Sequence, residues 1–294
     1  MPEASTDQAD GLRRLGAREA VRTVAITGGK GGIGKTTAAI NLGTALCELG
    51  RKVMLLDADL GLANADVLLG LRTRFNLEHV INGDCALADV IVTAGSGLRL
   101  VPASSGSLEM ATLDRAQHAG IISAFSELFE PVDHLLIDTA AGINESVLAY
   151  SEAAQRVVVI VCDEPASLTD AYGLIKVLHR RRPNARIEIV ANMVDSAAQG
   201  RTLYEKLARV SDRFLRFVPA YYGAIPQDDY LRRAVQKQVS VVEAYPWSAS
   251  ARAFKKLAQA ADTWPTAARA SGCAEFFLER LLRTHAPGRE DVLQ

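Results

Sequence analysis

A glycine-rich stretch that carries two lysines and two threonines follows an apolar run near the start of the chain. From Gly29 to Thr36 it fits the pattern Gly-x-x-x-x-Gly-Lys-[Ser/Thr], whose glycines let backbone N–H groups wrap phosphate oxygens. In that pattern Lys35 reaches the terminal phosphates and the Thr36 hydroxyl holds Mg²⁺. The sequence therefore predicts a P-loop formed by Gly29, Lys30, Gly31, Gly32, Ile33, Gly34, Lys35, Thr36 and Thr37.

Aspartates follow two of the other apolar runs. Asp57 and Asp59 end one run, and Asp138 ends another just before a small turn that contains Gly142. Open α/β sheets place their chemistry at the carboxyl ends of parallel strands. Asp138 is therefore predicted to be a Walker B carboxylate that acts toward Mg²⁺, with the turn as a switch that senses the γ-phosphate. Asp57 and Asp59 could serve the same phosphate site, but their spacing fits a pair of structural caps equally well.

Short apolar runs alternate with helical patterns along most of the chain, which predicts parallel strands with helices between them. After the P-loop a helix is expected to continue until Gly50, a glycine of the kind that ends helices. The expected fold is α/β: a single domain with a mostly parallel central β-sheet and helices on both faces. The further strands are predicted at Lys52–Asp57, Leu98–Val101, His134–Asp138, Val157–Cys162, Ile187–Ala191 and Phe217–Ile225.

The composition limits the cellular setting and the partners. A chain of 294 residues with 49% hydrophobic content can bury a large core, and its net charge of -1 gives no overall attraction to nucleic acid. The cysteines show no metal-ligand spacing, and no apolar segment follows Met1. The longest apolar run is far shorter than the ~20 residues that span a bilayer. We expect a cytoplasmic protein with free thiols and no membrane-spanning segment.

The stretch from Lys30 to Thr37 resembles the deviant P-loop of the MinD/ParA ATPases. In that family the early lysine crosses a dimer interface to the nucleotide of the other subunit, which implies for Lys30 a role in an ATP-dependent homodimer. A solvated surface lysine is the alternative. The resemblance also implies that Asp59 positions the attacking water and that Asp57 lies nearer the metal. The implied catalytic residues are Lys30, Lys35 and Asp59, and the implied Mg²⁺ residues are Thr36, Asp57 and Asp138.

For the nucleotide base, the family resemblance points to an Asn that ends a late strand and to a Pro-led turn after the next strand. The matching residues are Asn192 and the turn Pro226, Gln227 and Asp228. An amide offers both a donor and an acceptor to the edge of adenine, which suits Asn192 to this role. An Asn at the end of a strand is more often a turn residue.

Several longer strings, among them Leu55–Asn64, Asp138–Ile143, Val161–Pro165 and Ala234–Gln238, are similar to flagellar-number regulators of the FleN/FlhG type. That resemblance implies control of flagellar number and placement through an SRP-type flagellar GTPase (FlhF-like), the flagellar master transcription activator (FleQ-like) and the membrane. An N-terminal motif would stimulate the GTPase through Asp7, Gln8, Ala9, Leu12 and Arg13. A disordered tail is the alternative for this segment.

The family also ends in a membrane-binding amphipathic helix. In the stretch from Ala274 to Arg283, apolar residues recur at helical spacing, and the predicted membrane-facing residues are Phe277, Leu278, Leu281 and Leu282. A helix that packs on the domain, or docks there in another state of a switch, is the alternative. The implied location is the cytoplasmic face of the inner membrane at the cell pole, with reversible attachment.

The sequence thus predicts four segments: a partner-activating segment at 1–20, a MinD-like ATPase domain at 21–263, a linker at 264–272 and a C-terminal helix and tail at 273–294. The competing functions are a MinD-type cell-division site selector and a ParA-type DNA-partitioning ATPase, which would need a basic surface. We expect no direct contact with nucleic acid. A redox enzyme of the same fold would need cysteine ligands in a pattern that this chain lacks.

Overall fold

The computed structural model describes residues 21–59, 64–102 and 132–265. Within them lies one eight-stranded sheet, whose strands are ordered β3-β4-β2-β5-β1-β6-β7-β8. Every neighbouring pair is parallel except β3 and β4, which are antiparallel. The strands are β1 (Arg22–Gly28), β2 (Val53–Ala58), β3 (Val92–Thr93), β4 (Arg99–Val101), β5 (His134–Ala141), β6 (Arg156–Val161), β7 (Arg186–Val194) and β8 (Ala220–Pro226).

Helices connect these strands and cover the sheet. They are α1 (Lys35–Glu48), α2 (Ala65–Leu68), α3 (Leu77–Ile81), α4 (Leu87–Val90), α5 (Glu145–Ala153), α6 (Pro165–Arg181), α7 (Ala197–Leu215), α8 (Asp229–Gln236), α9 (Val241–Ala244) and α10 (Ala249–Asp262). The predicted fold class is confirmed, because a mostly parallel sheet carries helices on both of its faces.

Alternation along the strands explains how the sheet buries both faces. In β6, Val158 and Ile160 pack with α1 and α10 on one face, whereas Val157, Val159 and Val161 pack with α5, α6 and α7 on the other. A strand that is buried on both sides carries apolar side chains at successive positions, which is why the central strands are continuous apolar runs in the sequence. The residues at the carboxyl ends of these strands are therefore positioned by a core that is packed on both faces of the sheet.

The observed boundaries differ from the predicted ones in two informative places. Strand β5 continues past Asp138 to Ala141, because Ala141 still pairs with Gly28 across an irregularity in the β1–β5 register. Trp264, which the sequence assigned to a linker, packs against Tyr222 with ring centroids 4.8 Å apart. The packed body thus continues through Trp264, and the other predicted segment boundaries stay predictions.

None of the helices in the described ranges is long and apolar enough to cross a bilayer. Cys47, Cys85 and Cys162 are free thiols, as expected.

Candidate functional site

The predicted P-loop joins β1 to α1 directly. Strand β1 ends at Gly28, and α1 begins at Lys35 with Gly34 as its N-terminal cap residue in the left-handed conformation (φ 85). None of the described side chains forms a capping hydrogen bond at this helix end. The first N–H groups of a helix have no partner within the helix, so those of α1 are available to an anion. The local sequence therefore builds the phosphate-binding end that the motif predicted.

The glycines of this loop differ in how closely other residues approach them. A Cβ at Gly34 would lie 2.5 Å from Nδ2 of Asn192, and a Cβ at Gly29 would lie 2.4 Å from the backbone of Asp170 in α6. At Gly31 and Gly32, by contrast, an added Cβ would meet no atom of the described residues within 4 Å. Other residues thus pack closely against Gly29 and Gly34, whereas the described residues leave Gly31 and Gly32 accessible, as backbone binding of phosphate requires.

A buried lysine and a buried aspartate lie at the phosphate-binding end of the sheet. Lys35 is 7% exposed, and burial lowers the pKa of its amine, an effect that the nearby carboxylates of Asp138 and Asp59 oppose. Burial also raises the pKa of Asp138 to about 8, against the influence of the Thr36 hydroxyl. Neither carboxylate oxygen of Asp138 accepts a hydrogen bond with good geometry from any described residue. A buried acceptor without a partner is costly, and a bound cation would relieve that cost.

Asp57 lies beside Asp138 in the register of β2 and β5 but has a different environment. Its carboxylate accepts backbone N–H groups from Asp59 (3.1 Å), Asn64 (3.2 Å) and Ala65 (3.2 Å). Burial raises its pKa to about 6, and these hydrogen bonds oppose the rise. Asp57 therefore connects the end of β2 to Asn64 and Ala65 at the start of α2, which is the capping role that the spacing left open. Its predicted role toward the metal stays a prediction.

Asp59 is half-buried at the end of β2, and its charge acts on Lys35. Asp59 follows the carboxyl end of β2 and the P-loop follows the carboxyl end of β1, so both lie at the same end of the parallel sheet. The geometry is compatible with a role in orienting water near the terminal phosphate, and that role stays a prediction.

Lys30 projects from the front of the loop, and its amine forms an ion pair with Glu164, the residue that precedes α6. Both side chains are largely exposed. The hydrogen bond and charge of Glu164 raise the pKa of Lys30. No sequence pattern predicted this contact, because Lys30 and Glu164 are 134 positions apart.

Asn192 lies behind the P-loop. Its Nδ2 donates to the carbonyl of Ile33 (2.7 Å), and its Oδ1 accepts the N–H of Met193 (2.9 Å). The second bond supports Met193 in the left-handed conformation (φ 56), which a methionine rarely adopts. The structure thus shows Asn192 as a brace between β7 and the loop, and its predicted contact with adenine stays a prediction.

The turn after β8 is also held in place. The N–H of Gln227 donates to the carbonyl of Val194 (2.9 Å). Asp228 caps α8 by accepting the N–H of Tyr230 (2.9 Å), and its other oxygen accepts the N–H and the hydroxyl of Ser250. Burial alone would raise the pKa of Asp228, but the hydrogen bonds outweigh it and hold the pKa below its usual range. The predicted base contacts of Pro226, Gln227 and Asp228 stay predictions.

The predicted switch turn is hydrogen-bonded to the start of the P-loop. The N–H of Gly142 donates to the carbonyl of Gly28 (3.1 Å), and the Thr139 hydroxyl donates to the carbonyl of Ile26 (3.2 Å). These bonds connect the residues that follow Asp138 directly to β1, and the role of the turn as a switch stays a prediction.

The residues present fit a magnesium-bound nucleotide. Asp138 offers two buried oxygens that have no hydrogen-bond partner in the described part of the chain, and Thr36 and Lys35 lie at the helix end beside it. Among the described residues, no group of three or more His, Cys, Asp or Glu side chains could hold a metal ion by itself. Mg²⁺ commonly binds through few protein ligands together with phosphate and water, which matches this donor set.

The predicted GTPase-activating residues Asp7, Gln8, Ala9, Leu12 and Arg13 and the predicted membrane-facing residues Phe277, Leu278, Leu281 and Leu282 lie outside the described residues. They stay predictions.

Comparison with known proteins identifies the class to which this site belongs. Residues 24–241 match the family model of the CobQ/CobB/MinD/ParA nucleotide binding domain. The chain is 50% identical to the antiactivator FleN of Pseudomonas aeruginosa, over 94% of this chain and 99% of that protein. It is 33% identical to the flagellum site-determining protein YlxH of Helicobacter pylori, over 73% of each chain.

A solved structure of MinD from Pyrococcus horikoshii, complexed with Mg-ADP, matches with a TM-score of 0.65. It is 28% identical and covers 83% of this chain and 96% of its own.

The chain therefore belongs to the CobQ/CobB/MinD/ParA nucleotide-binding family. It is a P-loop ATPase whose cofactors are ATP and Mg²⁺, as the sequence predicted.

Proposed function

We propose that this chain is a dimerising regulatory ATPase that controls the number and placement of flagella. The observation that carries the proposal is the similarity to the antiactivator FleN over nearly the whole chain, supported by the second relative, which is named a flagellum site-determining protein. The proposed partners are an SRP-type flagellar GTPase, the flagellar master transcription activator and the membrane surface.

Each residue of the site has a distinct part in the proposed cycle. Magnesium-bound ATP supplies the phosphate whose transfer to water resets the regulator. Lys35 and the N–H groups of α1 hold the terminal phosphates, and Asp138 with Thr36 faces the metal side. Asp59 orients the attacking water. A buried carboxylate near a cation works better by positioning water than by taking its proton, which suits a slow switch.

Lys30 is the residue proposed to make hydrolysis depend on dimerisation. Its amine lies at the open front of the loop and is held by Glu164 in the single chain. An ion pair between exposed side chains contributes little stability, so exchange of Glu164 for the phosphates of a second subunit is energetically accessible.

Sedimentation velocity of the full chain with Mg²⁺ and ATP tests this proposal. Wild type is expected to shift from monomer to dimer with ATP and not with ADP. Lys30→Ala should bind ATP and remain a monomer, whereas Asp59→Ala should form a dimer that persists because hydrolysis is lost. Lys206→Ala, a change of another exposed lysine paired with an acid, is the matched control and should behave as wild type.

Two results would count against the proposal. A Lys30→Ala protein that dimerises with ATP would remove the role of this lysine. Unchanged single-turnover hydrolysis in Asp59→Ala would transfer water positioning to another carboxylate.

The N-terminal segment is proposed to act on the GTPase partner. A peptide spanning residues 2–15 should raise GTP hydrolysis by the SRP-type flagellar GTPase. Gln8→Ala should lose this stimulation and retain most binding, because its proposed work is to orient water. Leu12→Asp should lose binding itself. A peptide that binds without changing turnover would reduce the motif to a tether.

The C-terminal helix is proposed to attach the ATP-bound dimer to the membrane. Co-sedimentation with vesicles that contain anionic lipid should require ATP and should be lost when Leu281→Glu and Leu282→Glu are combined. If wild type never co-sediments with either nucleotide, the helix instead packs on the domain or serves another contact.

A further inference from the structure

A groove runs along the β8 side of the sheet; none of the P-loop residues lines it, but it reaches Pro226, the first residue of the turn predicted to contact the base. It encloses about 780 Å³ between α7, β8 and α10. The four consecutive residues from Tyr221 to Ala224 all line it. Side chains of consecutive strand residues point to opposite faces of a sheet, so a groove that contacts all four runs along the edge of β8.

The edge of β8 at the base of this groove is open. Strand β8 pairs with β7 on one side, and no other strand of the described residues pairs with its outer edge. An unpaired edge presents backbone N–H and C=O groups that can pair with another chain. The opposite edge of the sheet is formed by β3, which has only two residues and offers almost no backbone for pairing. The two edges are therefore built differently.

Small side chains leave room for an incoming backbone. The groove walls contributed by α7 and α10 include Ala197, Ala198, Ala249 and Ala253, and its floor includes Gly223 and Ala224. Because α7 and α10 pack on opposite faces of the sheet, the gap between them opens directly over the edge. These small residues leave room for an extended segment beside the larger side chains of Tyr221, Tyr222 and Leu257, which also line the groove.

Three cations surround the groove: Arg201 on α7, and Arg252 and Lys256 on α10. No acidic side chain from the described residues lines it, and in those same ranges none of the three cations forms an ion pair with a carboxylate. The groove therefore offers uncompensated positive charge to a ligand with negative charge.

Cations on an edge strand can also serve to prevent pairing. Here two of them are held by other residues. The Arg201 guanidinium lies over the ring of Tyr221, a residue of β8, at 4.3 Å, and Arg252 donates to the carbonyl of Trp247 (2.9 Å). Neither contact uses a backbone N–H or C=O group of β8, so these groups stay available to another strand, which favours a binding site.

We propose that the groove between α7 and α10 docks an extended acidic segment of a partner protein, which pairs with β8 as an added strand. Backbone hydrogen bonds to β8 supply affinity, and the three cations select acidic side chains. The site is separate from the P-loop and does not depend on the proposed flagellar role.

Fluorescence anisotropy with the full chain tests the proposal. The probe is a fluorescein-labelled octapeptide of alternating Glu and Val residues. One control peptide has Gln in place of every Glu, and another carries N-methyl groups on alternate backbone amides. We expect saturable binding of the Glu peptide, with Kd on the order of 100 μM, and at least tenfold weaker binding of both controls.

Charge reversal in the chain identifies the surface. Lys256→Glu and Arg252→Glu should each weaken binding of the Glu peptide roughly tenfold. Arg209→Glu, on an exposed part of α7 that does not line the groove, is the matched control and should leave binding unchanged. ATP hydrolysis should be the same in all three variants, which separates this test from that of the proposed function.

Hydrogen exchange provides the second readout. The bound peptide should slow exchange of backbone amides in β8 and leave those of β3 unaffected. The proposal is overturned by an absence of saturation up to about 1 mM peptide, or by equal binding of the N-methylated control. It also fails if β8 amides are already protected in the free chain and become exposed when Leu281→Glu and Leu282→Glu are combined, because the chain's own C-terminal segment would then fill the groove.

Discussion

Buried ionisable side chains at the two ends of the central sheet differ in whether they have hydrogen-bond or ion-pair partners. At the carboxyl end, neither carboxylate oxygen of Asp138 has a hydrogen-bond partner among the described residues. Burial raises the pKa values of Asp57 and Asp138 and lowers that of Lys35, which favours the neutral form of each side chain. Such groups destabilise the ligand-free fold.

At the amino end, the charged groups have partners. Asp262 accepts two hydrogen bonds from Arg51 (2.7 and 2.8 Å) and contacts the ring of His134 (3.4 Å). Arg156 and Glu188 form a largely buried ion pair, and Arg156 also lies over the ring of Trp264 at 4.4 Å. The hydrogen bonds from Arg51 hold the pKa of Asp262 below its usual range.

The ionisable residues at the amino end stabilise the fold, whereas those at the carboxyl end are available to bind a ligand. Paired charges at the amino end tie α10 and neighbouring strands together. Unpaired charges at the carboxyl end are stabilised only when a cation and phosphates complete the site. Substitutions at the two ends should therefore have opposite consequences.

Lys35→Ala should produce the largest effect at the carboxyl end. We expect nucleotide affinity to fall about 100-fold or more, which corresponds to about 2.7 kcal/mol, while the free energy of unfolding without nucleotide stays equal or rises. Isothermal titration and urea denaturation measure the two quantities. Lys52→Ala, at the exposed amino end of β2, is the control and should change neither. Equal losses of affinity in both variants would contradict the comparison.

Asp138→Asn should make the ligand-free chain less sensitive to pH. The pKa of Asp138 is raised to about 8, so between pH 4 and 8 the unfolded chain releases a proton that the folded chain retains. Wild type therefore loses stability relative to the variant as pH rises through this window, approaching about 1.4 kcal/mol per pH unit. Urea denaturation at several pH values measures the difference. Parallel pH profiles for the two proteins would show that Asp138 titrates normally.

Glu188→Gln tests the amino end. Removing the charge leaves Arg156 largely buried without its counter-charge, and we expect the free energy of unfolding to fall by about 2 kcal/mol with nucleotide affinity unchanged. The combination of Arg156→Met with Glu188→Leu should recover most of the loss, because it removes both buried charges. A Glu188→Gln protein with normal stability and weaker nucleotide binding would reverse the assignment of the two ends.

His134 should give the smallest effect. Burial lowers its pKa, although the contact with Asp262 opposes the shift. Above pH 6.5 the ring is neutral in both the folded and unfolded chains, and below it the unfolded chain binds the extra proton first. Wild type should therefore lose stability relative to His134→Gln as pH falls from 6.5. Denaturation at pH 7.5 and 5.5 measures this change, and a gain at the lower pH would contradict it.

Local sequence patterns predicted the residues at the carboxyl end of the sheet but not the contacts that support them. The β1 strand, the P-loop and α1 are contiguous in sequence, so a single motif predicts them. The brace from Asn192 to Ile33 joins residues 159 positions apart, and the partner of Lys30 is almost as distant. Asp57 became recognisable as a cap only through backbone N–H groups whose direction depends on the fold. The groove at β8 likewise arises from three elements that no local pattern connects.

The central claim is that bound Mg²⁺ and nucleotide satisfy the charges left unpaired at the carboxyl end. It is tested most directly by the free energy of unfolding measured with ADP alone and with ADP and Mg²⁺ together, in wild type and in Asp138→Asn. Nucleotide at 100 times its Kd stabilises a fold by about 2.7 kcal/mol. We predict that Mg²⁺ adds clearly to this increment in wild type and adds little in Asp138→Asn. An equal contribution of Mg²⁺ in both proteins would contradict the claim, because Asp138 would then have no part in completing the site.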